Sequence, residues 1–247
     1  MVVDFWLKTS GTWINVFTIL IGTALGLLLG SRLPKRMQQI ITQALGLMTL
    51  WIGISMAGRL ADAQGGAIDG AVLGLLSMVG GGFLGEWWQL EDRLAGLGDW
   101  LKKHLRGQGK FTEGFVATSL LFCIGPMALI GSLNNGLSND NTLLVIKAMM
   151  DGLASIPFAS TYGLGVGFST LPLLIYQGSL SLLAAVFSNL LPNPEADPRI
   201  FLLTGIGGLM IMGISFNLLE LLRVRVGSFL PALIIAPLLF ELAQWLT

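Results

Sequence analysis

Long apolar runs separated by short polar clusters dominate the chain, and the runs have the length of helices that cross a bilayer. About 20 consecutive apolar residues make one such crossing. The pattern predicts spans over residues 13–30, 40–58, 68–88, 115–133, 142–166, 171–191, 201–222 and 229–245. Polar residues collect in the loops instead of alternating with apolar ones, as the strands of a membrane barrel would require. The expected fold class is therefore all-α, a polytopic helical membrane protein of about eight spans. Pro126 and Pro157 break or bend two of these, and Pro231 and Pro237 fall in the last. The loop 192–198, PNPEADP, cannot be helical throughout, because its prolines remove donors and restrict their neighbours.

Residues 89–106 differ in kind. Leu90, Leu94, Leu97, Leu101 and Leu105 recur every three or four positions, with Glu91, Asp92, Arg93, Lys102 and Lys103 on the other face. That is an amphipathic helix lying in the membrane interface, as a topology anchor or a regulatory element. In the third span, Gly70, Gly74, Gly81 and Gly85 provide a face that a neighbouring helix can approach closely.

Composition agrees with this reading. Hydrophobic residues make up 53% of the 247 and charged residues only 11%, against about 25% charged in a soluble domain. The mean hydropathy is +0.76. One membrane domain, 1–247, is expected, in four stretches: 13–88, 89–106, a central broken-helix hairpin over 111–170, and 171–247. A net charge of zero gives no nucleic-acid partner. The single cysteine, Cys123, excludes a disulfide framework. His104 is the only histidine and is far in sequence from Cys123, and no HExxH or phosphate-loop motif occurs. Neither an enzyme nor a cofactor is expected, and the sequence leaves a metal open. The N-terminus, with Asp4 and Lys8, does not resemble a cleavable signal.

Basic residues give an orientation. Ten fall in one set of alternate loops (Arg32, Lys35, Arg36, Arg93, Lys102, Lys103, Arg106, Lys110, Arg223, Arg225) and three in the other (Lys8, Arg59, Arg199). The positive-inside rule then puts both termini outside the cytoplasm. A gapless shift of 162 residues lays Gly46–Met48 on Gly208–Met210, Gly22 on Ala184 and Gly26 on Ser188. Under it the first three spans match the last three in opposite directions, an inverted repeat of the kind transporters use.

The candidate site lies in the central hairpin. Lys147 and Asp151 stand one helical turn apart in an apolar run. Asp151 is about 15 Å along a helix, near the middle of a hydrocarbon layer about 30 Å thick. A charge there costs roughly 2.5–3.5 kcal/mol on insertion scales. The pair reads either as a binding site or as a buried clasp that sets helix register. Ser155 continues their face, beside a stripe of small residues including Ala148, Gly152, Ala159 and Gly163. Asn134, Asn135 and Asp140 lie opposite; Asn-Asn-Gly reads equally as a binding element or as an ordinary turn. Gln177 and Asn217 read as site residues or as interhelical hydrogen-bonding groups, and Asn15 as a cap of the first span.

Several stretches carry a resemblance to a known family. They are INVFTILIGTALGLLLGSRLPKRM, GLMTLWIGISM, the GEWWQLEDRL region, LFCIGPMALIGSLNNGLSND with IKAMMDG, and FLPALIIAP, in this order along the chain. The chain resembles the bacterial membrane family called domain of unknown function 554, the YdfK/YqgA-like proteins. The resemblance implies a multi-pass protein of a prokaryotic plasma membrane and brings neither an activity nor functional residues. The expected function is a secondary transporter or channel for a small solute or ion, the alternative a non-transporting scaffold or assembly partner. Its partners would be the lipid bilayer, that solute or ion, and other copies of the chain in a homo-oligomer.

Overall fold

Capping groups and prolines fix several helix limits that the apolar runs leave open. The computed structural model describes residues 2–30, 34–104, 109–184 and 196–246, and its regular structure there is helical. A short helix, α1 (Val2–Lys8), precedes α2 (Ser10–Gly30). α3 (Lys35–Ala57) continues into a 3₁₀ turn, Gly58–Asp62. α4 (Gly70–Trp87) starts where the Asp69 carboxylate accepts the Ala71 N–H at 2.7 Å. Gln89, with φ 52°, turns the chain into α5 (Leu90–His104), the expected amphipathic helix.

The expected fourth span is two helices, α6 (Phe111–Cys123) and α7 (Pro126–Ser138), bent by 60° at their junction. Gly125 (φ 157°) makes the break, and Pro126 opens α7, where its missing N–H costs nothing. α8 (Thr142–Tyr162) carries Pro157 and ends four residues before the expected limit, where Gly163 (φ 77°) follows. A short α9 (Gly165–Phe168) leads into α10 (Thr170–Leu182). The remainder of the expected sixth span, and most of the loop 192–198, lie outside the described residues. α11 (Pro198–Leu218) is capped by Asp197, and α12 (Ala232–Leu246) follows a 3₁₀ turn, Val226–Phe229. Among the described residues six helices are long and apolar enough to cross a membrane, and the bent pair, counted as one span, makes a seventh.

The helices gather into two units, each drawing on both halves of the chain: Met1–Thr42 with Ala95–Pro192, and Gln43–Leu94 with Asn193–Thr247. In the first unit α2 and α8 run parallel along a glycine seam. A Cβ on Gly22 would strike the Gly152 carbonyl, one on Gly26 the Ile156 carbonyl, and one on Gly30 the Ser160 carbonyl at 2.6 Å. Thr18 closes the seam by donating to the Ala148 carbonyl at 2.8 Å. α7 and α10 flank it, Gly131 against Leu144 and Gly136 against Ser181. One end of this unit gathers Leu7, Ser10, Asn135 and Asn141. Phe111 meets Gly165 at the other, so α9 and α10 lead from there towards Gly136.

In the second unit α3 and α11 are antiparallel. Ser215 donates to the Gly46 carbonyl at 2.7 Å, and a Cβ on Gly53 would lie 2.9 Å from the Gly208 carbonyl. α4 packs on α12 through Gly81 and Ala232. Arg59 pairs with Asp62 and lies over Phe201 at one end, where Arg199 also meets Glu241. At the other end Arg225 bridges Glu86 and Asp92, and Glu91 accepts the Gly227 N–H at 2.6 Å.

Polarity is arranged inside out. Asn15, Asn135, Ser155 and Gln177 are fully buried, while Trp51, Phe83, Ile175 and Ile234 are 66–72% exposed. In water that arrangement would be costly; lipid tails solvate the exposed side chains and leave polar groups to find partners within the protein.

Candidate functional site

Lys147 and Asp151 form an ion pair on α8, their side chains only 8% and 13% exposed. α8 supplies both because a four-residue spacing stacks them on one helical face. The Lys147 ammonium also lies 6.0 Å from the centre of the Phe122 ring, within cation–π range. The close α2–α8 packing brings in a third side chain, Asn15, whose Nδ2 donates to Asp151 Oδ2 at 3.0 Å. The same Nδ2 faces Gln177 Oε1 on α10 at 3.4 Å.

These contacts fix the amide orientations. With Asn15 reversed, its Oδ1 would face the Asp151 carboxylate and repel it. With Gln177 reversed, two NH₂ groups would meet. The result is a chain of hydrogen-bonding groups, Lys147 to Asp151 to Asn15 to Gln177, across three helices. It leaves atoms unspent. Asn15 Oδ1 and Gln177 Nε2 are buried without a hydrogen-bond partner, as are the hydroxyls of Thr12, Ser132 and Ser181. Thr12 lies one turn from Asn15 and Ser181 one turn from Gln177. Both hydrogen bonds to Asp151 converge on Oδ2; among the described residues none reaches Oδ1. Each unsatisfied buried group costs about 1–3 kcal/mol, a cost that a hydrogen-bonding ligand at these atoms would remove.

The sequence-predicted residues divide clearly. Lys147, Asp151 and Gln177 come together. Ser155 is on the same helix but spends its hydroxyl on the Asp151 carbonyl, 2.7 Å away, within the α2–α8 seam. Asn134 and Asn135 do not form a turn, because α7 runs through them. Asn135 pins the α1–α2 junction, donating to the Leu7 carbonyl and accepting the Gly11 N–H, each at 3.0 Å. Asn134 is partly exposed on the same helix. Asp140 is exposed and accepts the Thr142 N–H at 3.0 Å, which starts α8. Asn217 belongs to the second unit and ties down the turn after α11 through both hydrogen bonds to Val224. Asn15 is no helix cap: α2 begins five residues earlier, at Ser10. The sequence holds a signal for this contact: Asn15 stands 162 residues before Gln177, the same gapless shift that lays Gly46 on Gly208.

Two surface grooves on the first unit, one bordered by Leu20, Leu27 and Phe168 and the other by Trp6, Trp13 and Phe17, are apolar and suit lipid chains. Among the described residues no three His, Cys, Asp or Glu side chains gather as a metal site would need. Away from the spans, burial pushes the Glu91 carboxyl up, against the opposing pull of the Gly227 N–H and Arg225.

The family described as a protein of unknown function (DUF554) matches residues 10–241. An uncharacterized membrane protein of Bacillus subtilis (strain 168), YdfK, is 30% identical over 228 residues, 92% of this chain and 93% of its own. The uncharacterized protein YqgA of Escherichia coli (strain K12) is 30% identical over 243 residues, 95% of this chain and 98% of its own. No solved structure matches.

Proposed function

The chain belongs to the DUF554 family and is a multi-pass membrane protein, and we propose that it is a secondary transporter or channel whose polar site is built on Asp151. The observation that carries the reading is the buried chain from Lys147 to Gln177, with unspent hydrogen-bonding atoms on Asn15 and Gln177. A clasp that only fixed helix register would have no use for unsatisfied groups.

The reading includes an inverted repeat with the site at its interface. Support comes from contacts that exchange under the 162-residue shift. Gly46 meets Ser215, and the shifted pair, Gly208 and Gly53, also meets. Gly46 meets Leu219, and the shifted pair, Gly208 and Ala57, meets too. Such reciprocity is what a two-fold axis imposes. Because α3 and α11 are antiparallel, that axis would lie in the membrane plane. Gly70, where α4 starts, shifts onto Ala232, where α12 starts. In the first unit Asn15 and Gln177 are themselves equivalent positions in contact. With the bent α6–α7 pair and the α9–α10 segment each taken as one crossing, the chain makes eight, in a prokaryotic inner membrane with both termini outside.

The test is flux in proteoliposomes, screened with sodium, potassium and chloride salts and with amino acids. Wild-type protein is expected to move at least one of them. Asp151→Asn is expected to insert and fold yet move none. Normal flux in that variant would show the site to be wrong, and no flux in the wild type would favour a scaffold.

A further inference from the structure

We propose that Asp151 is the ligand of a monovalent alkali cation and that Lys147 is its tethered stand-in, holding the carboxylate when no cation is bound. The proposal rests on the transport reading and names the species that its site takes.

The chemistry of the available atoms selects the ligand class. Asp151 supplies one formal negative charge, and its Oδ1 accepts no hydrogen bond from the described residues. The neighbouring amide adds Asn15 Oδ1, an acceptor buried without a donor. One turn away on α2, Thr12 adds an unpartnered hydroxyl oxygen. Oxygen donors of this sort suit hard cations. A divalent ion draws on several carboxylates, and the described residues gather no such cluster. An anion is disfavoured from the other side. The Lys147 ammonium is paired, and the Asn15 NH₂ is directed at two oxygens, which leaves Gln177 Nε2 as the amide donor to spare.

Lys147 explains how such a site survives empty. A lone carboxylate at this depth is costly, and a carrier must be able to return without cargo. The ammonium neutralises Asp151 in that state. Lysine precedes aspartate on the helix, the weaker order for an intrahelical pair, so the clasp is suited to opening. On release the lysine stem reaches towards the α8 N-terminus, the nearer end of that helix. The cation then takes the place of the ammonium at Asp151, and no covalent bond changes.

The experiment measures thermal stability of purified protein in lithium, sodium and potassium chloride against choline chloride at equal ionic strength. Wild type is expected to show a saturable upward shift with one alkali cation. Lys147→Gln, freed of its internal competitor, is expected to reach half-saturation at a concentration at least tenfold lower. Lys147→Arg is expected to stay near the wild-type value, and Asp151→Asn to lose the response. If Lys147→Gln folds only in an alkali salt, that rescue supports the proposal. If it cannot be recovered at all, wild type and Asp151→Asn decide. No saturable shift in wild type, or a shift that survives Asp151→Asn, overturns the proposal. Flux that still depends on Asp151 without any cation effect leaves the transport reading standing and removes only this inference.

Discussion

Asn15 Nδ2 lies 3.4 Å from Gln177 Oε1, across 162 residues of chain. Both side chains are amides, both are fully buried, and each keeps one hydrogen-bonding atom without a partner. The contact joins α2 to α10, and the bond from Asn15 to Asp151 extends it to α8. A change at any of the three helices is therefore felt at the carboxylate.

The first prediction concerns this coupling. Asn15→Ala removes a hydrogen bond to a charged group, worth about 1.5–3 kcal/mol, and strands the Gln177 carbonyl oxygen. Gln177→Ala should cost less, because its bond is longer and joins neutral groups. The two substitutions share one network, so their effects should miss additivity by about 0.5–3 kcal/mol. A double-mutant cycle by reversible unfolding in mixed micelles measures this. Additive effects would mean that the two amides do not act as a unit.

Helix packing supplies the second. Gly26 sits where a side chain would meet the Ile156 carbonyl, which is backbone and cannot move aside alone. Gly26→Leu should push α2 from α8, lose at least the 1–3 kcal/mol or so that overpacking costs, and disturb Asn15, about three turns away on α2, and Asp151, about one and a half turns from Ile156 on α8. Gly96→Leu is the control, since nothing lies within 4 Å of its Cβ position. Unfolding midpoints of the two variants should differ sharply; equal midpoints would refute the tight α2–α8 seam.

Much of the architecture was legible because its causes are local. Apolar run length placed the spans, Pro126 marked the α6–α7 break, and leucine spacing drew α5. The charged pair was legible because Lys147 and Asp151 are a single turn apart on one helix. Tertiary contacts decided the rest. Asn134-Asn135-Gly136 has turn chemistry, yet α7 passes through it: Asn135 bonds the α1–α2 junction, and Gly136 lets α10 approach. Asn15 reads as a cap from sequence because the first expected span begins at Trp13, whereas α2 starts at Ser10. The sequence groups Asn217 with the site only as a polar residue in an apolar run, and its two hydrogen bonds are spent on a turn.

Acid should loosen the start of α8. Hydrogen bonds from the Thr142 hydroxyl and N–H hold the Asp140 carboxyl below its ordinary value of 3.8. A depressed carboxylate stabilises the fold above its unfolded value, and that contribution is lost as pH falls through the folded one. Protection from hydrogen exchange at Thr142 and Val145, whose N–H groups bond the Asp140 carboxylate and the Asn141 carbonyl, should therefore fall below about pH 3.8. Asp140→Asn keeps a side-chain oxygen for the cap and should flatten that part of the profile. An unchanged profile in the variant would assign the acid response to another group.

Membrane orientation can be read from single cysteines. The basic loops are unequal, ten residues against three, and the second unit keeps Arg59 and Arg199 at one end and Arg225 at the other. By the positive-inside rule such a distribution predicts that the Arg225 end faces the cytoplasm. Cys123 is the only native thiol, so Cys123→Ala gives a background for labelling. On it, Gln64→Cys reports the loop between α3 and α4, and Lys103→Cys the last turn of α5; both positions are exposed. An impermeant maleimide should label the Gln64 position in intact spheroplasts and the Lys103 position only after permeabilisation. The opposite pattern would invert the protein in the membrane, and labelling of both from outside would remove one crossing between them.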